Sequence, residues 1–157
     1  MMDKSFIFLL AAFVCSVGSA HIPTIPCPNY FRYVSDPYQN IEGLILVPYY
    51  QTPELLLAVN ASMKGFFGQE NSNMQLTMLT TATDLIQGLS TIVKYKLQFP
   101  VQDSIPQITS IIFNGQQFCT GPPVPMEAPN PYMPGSSSAV TNMYATHTSR
   151  FAPVQPQ

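Results

Sequence analysis

The chain has 157 residues, of which only 9% are charged, and its formal net charge at pH 7 is −2. Charged residues make up about 25% of an ordinary soluble domain, so the surface must consist largely of Ser, Thr, Gln, Asn and Tyr. The six Lys and Arg residues form no cluster along the sequence, which argues against nucleic acid as a partner.

The first 20 residues have the features of a signal peptide. Lys4 gives a basic start, residues 6–15 are apolar, and residues 18–20 form a small-x-small end, so we expect cleavage after Ala20. The alternative is a membrane anchor, but a spanning helix needs about 20 apolar residues and this run is roughly half as long. No later run reaches that length. The sequence therefore predicts a secreted, extracellular chain that has no membrane partner.

Residues 21–121 alternate short β-prone segments with turn residues. The candidate strands are Tyr30–Val34, Ile41–Val47, Leu55–Lys64, Met74–Thr80, Leu85–Ile86, Ile92–Phe99, Ile108–Phe113 and Gln116–Cys119. The fourth and fifth are the weakest, and a short helix over Thr83–Leu89, limited by Gly88, is the alternative for that region. Strands of this length and spacing predict an all-β fold, either an antiparallel sandwich or a barrel. We expect the first, an antiparallel β-sandwich of the immunoglobulin type or a related one.

Beyond Gly121 the composition changes. Six prolines lie between residues 122 and 134, and a Gly-Ser-Ser-Ser segment follows at 135–138. Because little apolar periodicity remains, residues 122–157 are predicted to be a disordered tail or linker rich in Pro, Ser and Thr.

Two cysteines remain once the leader, with Cys15, is removed. The mature chain then has an even number of cysteines, Cys27 and Cys119, and the expected extracellular compartment is oxidising. Both facts favour a disulfide between them. The alternatives are a metal site, which needs more ligands at short spacings, and a catalytic thiol, which needs an activating base. The sequence suggests neither the ligands nor the base.

The segment Asn60-Ala61-Ser62 is a sequon for N-glycosylation. Leu55, Leu57 and Val59 alternate with the set of residues that includes Asn60, so Asn60 is expected on the outward face of a strand. We therefore expect a glycoprotein with its glycan on Asn60.

The residues that usually carry catalysis are scarce and separated. His21 lies at the expected mature N-terminus and His147 lies in the predicted tail, while the acids along the domain are isolated from one another. No motif of a hydrolase triad, zinc protease or phosphate-binding loop is present. The sequence predicts no catalytic residue, no metal site and no cofactor, and hence a chain that is not an enzyme.

Tyrosines are the other conspicuous group. Tyr30, Tyr33, Tyr38, Tyr49 and Tyr50 lie within 21 consecutive residues. Tyrosine is common in protein-binding surfaces, so these five are candidates for a partner-binding surface. Packing in the core and at strand edges is the alternative, and it is the more common role of such residues.

Both ends of the predicted domain resemble a known family. The segments that carry the resemblance are Cys27-Pro28-Asn29-Tyr30-Phe31-Arg32-Tyr33, Gly43–Pro48, Tyr95–Pro100, Ile105–Ile111 and Asn114-Gly115 before Cys119. Together they resemble the N-terminal domain of the insect serine protease gastrulation-defective. The resemblance covers residues 27–121, and it implies that Cys27 and Cys119 form a disulfide.

In that family the domain precedes a trypsin-like catalytic domain. The resemblance implies a non-catalytic module that binds or regulates an extracellular protein, with a serine protease, its zymogen or another cascade component as the candidate partner. One alternative is a truncated form of a trypsin-like protease whose catalytic domain is missing from this chain. A further alternative is a structural secreted protein whose tail does the work.

Overall fold

The computed structural model describes residues 22–65, 73–126, 132 and 139–151. The predicted leader, residues 1–20, and His21, which follows it, lie outside these residues. In the described part the elements are β1 (Phe31–Ser35), β2 (Ile41–Pro48), β3 (Glu54–Lys64), β4 (Gln75–Met78), α1 (Ala82–Ile86), β5 (Ile92–Gln98), β6 (Gln107–Phe113), β7 (Gln116–Thr120) and β8 (Val140–Arg150).

The strands form two antiparallel four-stranded sheets. Sheet A has the order β1-β2-β5-β4 and sheet B has the order β7-β6-β3-β8. The first order corresponds to strands A-B-E-D of an immunoglobulin domain, and β7-β6-β3 corresponds to strands G-F-C. The prediction of an immunoglobulin-type sandwich is therefore confirmed. The place beside strand C, which strand C′ takes in variable domains, is taken here by β8 from the far end of the chain.

The core lies between the two sheets because alternate residues of each strand point inward. In β3, the side chains of Leu55, Leu57 and Val59 are fully buried. Gly43 in β2 leaves room for the ring of Phe31, since a Cβ atom at Gly43 would lie 2.7 Å from Phe31 Cε2. The alternation that predicted the strands is thus the alternation that builds the core.

Two predictions are wrong in the described part of the chain. The predicted tail contains β8, which pairs with β3 over the full length of both strands, from Glu54 opposite Arg150 to Lys64 opposite Val140. Its inward positions include only Met143 and Ala145 as buried apolar residues, so its periodicity is weak in the sequence. The second error is the weak strand at Leu85–Ile86, which lies in α1.

The short helix α1 follows from local signals. The side chain of Thr81 caps it by accepting a hydrogen bond from the Asp84 N–H group at 3.1 Å. Leu85 is its one buried residue and anchors it to the core. Gly88, at φ +70°, follows the last turn, and glycine adopts this conformation without strain. The helix alternative over Thr83–Leu89 therefore describes this region better than the strand.

Candidate partner-binding surface

The disulfide joins the segment before β1 to β7. Cys27 and Cys119 are bonded, and their Cα atoms are 5.6 Å apart. The two segments also touch beside the disulfide, because a Cβ atom at Gly121 would lie 2.8 Å from the ring of Pro26. The pair therefore closes the margins of the seven-stranded unit and has a structural role.

Tyr30 and Tyr33, two of the five candidate tyrosines, are packed against other aromatic side chains. Tyr33 is half-buried, donates a hydrogen bond to the carbonyl of Pro106 at 2.6 Å, and meets the ring of Phe31 edge-on. Burial raises the pKa of the Tyr33 hydroxyl well above its usual value. Tyr30 packs its ring edge-on against Phe118, with ring centroids 5.2 Å apart. These contacts are those of packing residues.

The other three tyrosines lie at opposite ends of β2. Tyr38 is 84% exposed in the turn before β2, whereas Tyr49 and Tyr50 follow its last residue. Eight residues of extended strand separate the two ends by about 26 Å. Tyr49 is half-buried against Phe151, and Tyr50 is 60% exposed. The five tyrosines are therefore not brought together in one surface.

The outward face of sheet A combines apolar and basic side chains. The register places Leu44 between Arg32 and Lys96, and in the next row it places Leu46 beside Lys94. Side chains at such facing positions are neighbours on the sheet surface. We call the outward side chains of these rows, together with those of the exposed residues around α1, the sheet A face.

The sheet A face continues onto the end of the sandwich that carries α1. Leu79 bonds through its N–H group to the carbonyl of Lys94 at 2.8 Å, and Ile92 precedes Lys94 on the same outward side of β5. Leu79, Leu89 and Ile92 are 49%, 72% and 42% exposed. Leu79 and Leu89 line an open hollow together with Lys94 and Asp84. Exposed apolar side chains that adjoin one another are the usual mark of an interaction site.

The charges on the sheet A face are mainly positive. Arg32, Lys94 and Lys96 lie in its rows, and Glu42 is the one acid among these strand positions. Glu42 faces Lys96, whose Nζ atom is 3.4 Å from Glu42 Oε1. Asp84 adds a second acid in the hollow beside Lys94, so three basic side chains stand against two acids on this face, whereas the formal net charge of the whole chain is −2.

The outward face of sheet B has a different character. Asn60 is exposed there, between Ser110 on β6 and Tyr144 on β8. Between the Glu54–Arg150 ion pair at one end and Lys64 at the other, the outward positions paired along β3 carry no charge. Ser62, the third residue of the sequon, is fully buried, and its Oγ atom accepts a hydrogen bond from the Val124 N–H group at 2.7 Å.

Two polar atoms lie in the interior beneath β8. The ring of His147 is 5.4 Å from that of Tyr95, and neither His147 Nδ1 nor Tyr95 Oη has a hydrogen-bond partner. Burial lowers the pKa of His147 and raises that of Tyr95 to about 12. His147 is thus part of the folded domain, contrary to its predicted place in a tail.

The described residues contain no cluster of metal ligands, and two of their acids are held in ion pairs. No group of three or more potential metal ligands occurs among them. The acids Glu42 and Glu54 face Lys96 and Arg150 in ion pairs at the surface. A helix able to cross a membrane is likewise not found among the described residues.

The fold, the strand order and the disulfide define a two-sheet, immunoglobulin-type β domain. Residues 25–129 match the family described as serine protease gd N-terminus. The chain therefore belongs to that family, and the resemblance found in the sequence is confirmed. The match includes both cysteines and β1 to β7, ends before β8, and concerns an N-terminal domain rather than a catalytic one. No curated protein and no solved structure matches the chain.

Proposed function

We propose that this chain is a secreted, non-catalytic module that binds an extracellular serine protease, its zymogen or another component of a proteolytic cascade. The family membership supplies the link to proteases. The observation that carries the binding role is the sheet A face, where Leu79, Leu89 and Ile92 remain exposed beside Lys94. Apolar side chains that adjoin polar and charged groups are the usual anatomy of a protein interface.

The charge of the sheet A face specifies the partner further. Arg32, Lys94 and Lys96 outnumber the acids Glu42 and Asp84 there, so a complementary partner carries acidic side chains around an apolar centre. Charge complementarity mainly accelerates association and suppresses wrong partners. The association rate should therefore fall as ionic strength rises, and Lys94→Glu should lower that rate more than it changes the dissociation rate.

The position of the sequon is consistent with binding through the sheet A face. Asn60 lies on sheet B, on the side of the sandwich opposite to the sheet A face. A glycan on Asn60 would hydrate a surface that has few charges and would leave the sheet A face accessible. Mass analysis of the secreted protein before and after glycosidase treatment tests this, with Asn60→Gln as the control. Ser62→Ala is a poor control because it leaves the Val124 N–H group without its acceptor.

The experiment for binding uses two matched leucines. Leu79 on sheet A and Leu56 on sheet B are 49% and 45% exposed, so Leu79→Asp and Leu56→Asp introduce the same charge at similar exposure on opposite faces. The immobilised wild type should capture a serine protease, a zymogen or another cascade component from extracellular fluid of the source organism. Leu56→Asp should retain that partner, whereas Leu79→Asp should lose it. Capture of no such component, or equal loss with both variants, would contradict the proposal.

The second candidate is that this chain is part of a trypsin-like serine protease. The observation in its favour is the family itself, which is described as the N-terminus of a protease. Sequencing of transcripts across the codon for Gln157 distinguishes the two. Reads that continue into a trypsin-like domain favour the protease, and a stop codon directly after Gln157 favours the separate module.

A further inference from the structure

We infer that the edge of β3 that faces away from β6 is a strand-acceptor site. In the monomer β8 of the same chain occupies this site, and the β8 of a second copy can occupy it instead. The resulting assembly is a strand-exchanged dimer. Domain swapping of this kind needs an element whose contacts can be made equally well from another copy. The place of β8 in the fold meets this condition.

The first argument is that β8 is additional to the seven-stranded unit. Strands β1 to β7 already form the A-B-E-D and G-F-C sheets, and the family match over residues 25–129 covers them without β8. Without β8, the 11 residues of β3 would present an unpaired row of backbone N–H and C=O groups. Such an edge is a template for another strand, and β8 supplies one in register along its whole length.

The second argument is that β8 is held mainly by its backbone ladder. Met143 and Ala145 are its only fully buried apolar side chains, and Arg150 adds an exposed ion pair with Glu54. His147 is half-buried, and its buried Nδ1 atom has no hydrogen-bond partner, which opposes docking. Because the ladder with β3 makes most of the contacts of β8, the β8 of a second copy can make the same contacts.

The third argument is the length of the connection. Residues 121–139 link β7 to β8, which lie at opposite edges of sheet B with β6 and β3 between them. Three strand spacings amount to about 14 Å, whereas 19 extended residues reach up to about 60 Å. A connection of this length keeps β8 at an effective concentration on the order of 1 mM. At micromolar concentration the monomer should therefore prevail.

Shortening the connection tests the inference. Deleting residues 125–138 joins Val124 directly to Ala139, yet Val124 is bonded to Ser62 and Ala139 to Gly65. A single peptide link spans about 3.8 Å, while the three residues from Ser62 to Gly65 cover about 10 Å. We expect the shortened chain to be a dimer at micromolar concentration in light scattering, and the same chain with Met143→Asp to be a monomer. A folded, monomeric shortened chain, or a dimer that persists with Met143→Asp, would overturn the inference.

The full chain provides a second measurement that does not depend on the folding of the shortened chain. Two full-length preparations with different affinity tags are mixed near 1 mM, incubated, diluted to micromolar concentration and passed over both affinity matrices in turn. For the wild type we expect kinetically trapped dimers that carry both tags, one on each chain. For Met143→Asp we expect no such dimers. Recovery of monomers only from the wild-type mixture would also overturn the inference.

Discussion

Met143→Ala is expected to lower the free energy of unfolding by about 2–4 kcal/mol. Met143 lies in β8 with only 1% of its surface exposed, and the substitution removes three heavy atoms from the core. Each buried methylene-sized group contributes roughly 0.8 kcal/mol by transfer, and the cavity that is left adds to that loss. The loss should be this large only if β8 unfolds together with the rest of the domain.

The matched control is the next residue of the same strand. Tyr144 is 64% exposed on the outward face, so Tyr144→Ala should cost less than about 1 kcal/mol. Urea unfolding followed by far-UV circular dichroism measures both variants, and an unchanged dependence on denaturant shows that two-state behaviour is kept. If Met143→Ala stays within about 0.5 kcal/mol of the wild type, β8 is not part of the cooperative unit and the reasoning is refuted.

Three further predictions concern the remaining supports of the fold. Gly43→Ala should cost about 1–3 kcal/mol by overpacking, because its Cβ would lie 2.7 Å from Phe31 Cε2; an unchanged melting temperature would contradict this. Replacing both Cys27 and Cys119 by Ala should cost about 2–5 kcal/mol, since the disulfide spans 92 residues; urea midpoints test it, and equal midpoints would count against it. Burial lowers the pKa of His147 below its ordinary 6.5, so the unfolded chain takes up the proton first and stability should fall as pH drops below 6.5. Melting temperatures measured from pH 8 to pH 5 should therefore decrease, and the decrease should be smaller in His147→Gln.

The sequence predicted most of the sandwich because its strands alternate clearly. Leu55, Leu57 and Val59 in β3 show a period of two that belongs to a half-buried strand. The segment of β8 has no such run, since Thr and Ser occupy many of its positions and only Met143 and Ala145 mark its inward face. Its structure comes from pairing with β3, which is more than 70 positions earlier in the sequence.

The candidate surface was less accessible to prediction than the fold. Arg32 lies more than 60 positions before Lys94 and Lys96, and only the register of β1, β2 and β5 brings it to the same face as these two lysines. The tyrosines, by contrast, are close in sequence, but β2 carries Tyr38 away from Tyr50. Proximity along the chain is a poor guide to proximity on a sheet, because each strand moves the chain from one end of the sandwich to the other.

With a glycan on Asn60, as proposed, the buried hydroxyl of Ser62 would set an order of events during biosynthesis. A sequon is recognised through both its Asn and its Ser, and here the Ser62 side chain is sealed beneath the segment that contains Val124. The proposed glycan on Asn60 must therefore be attached before that segment closes over β3. The fraction of secreted molecules that carry the glycan would then depend on the rate of sugar transfer relative to the rate at which the end of the domain folds.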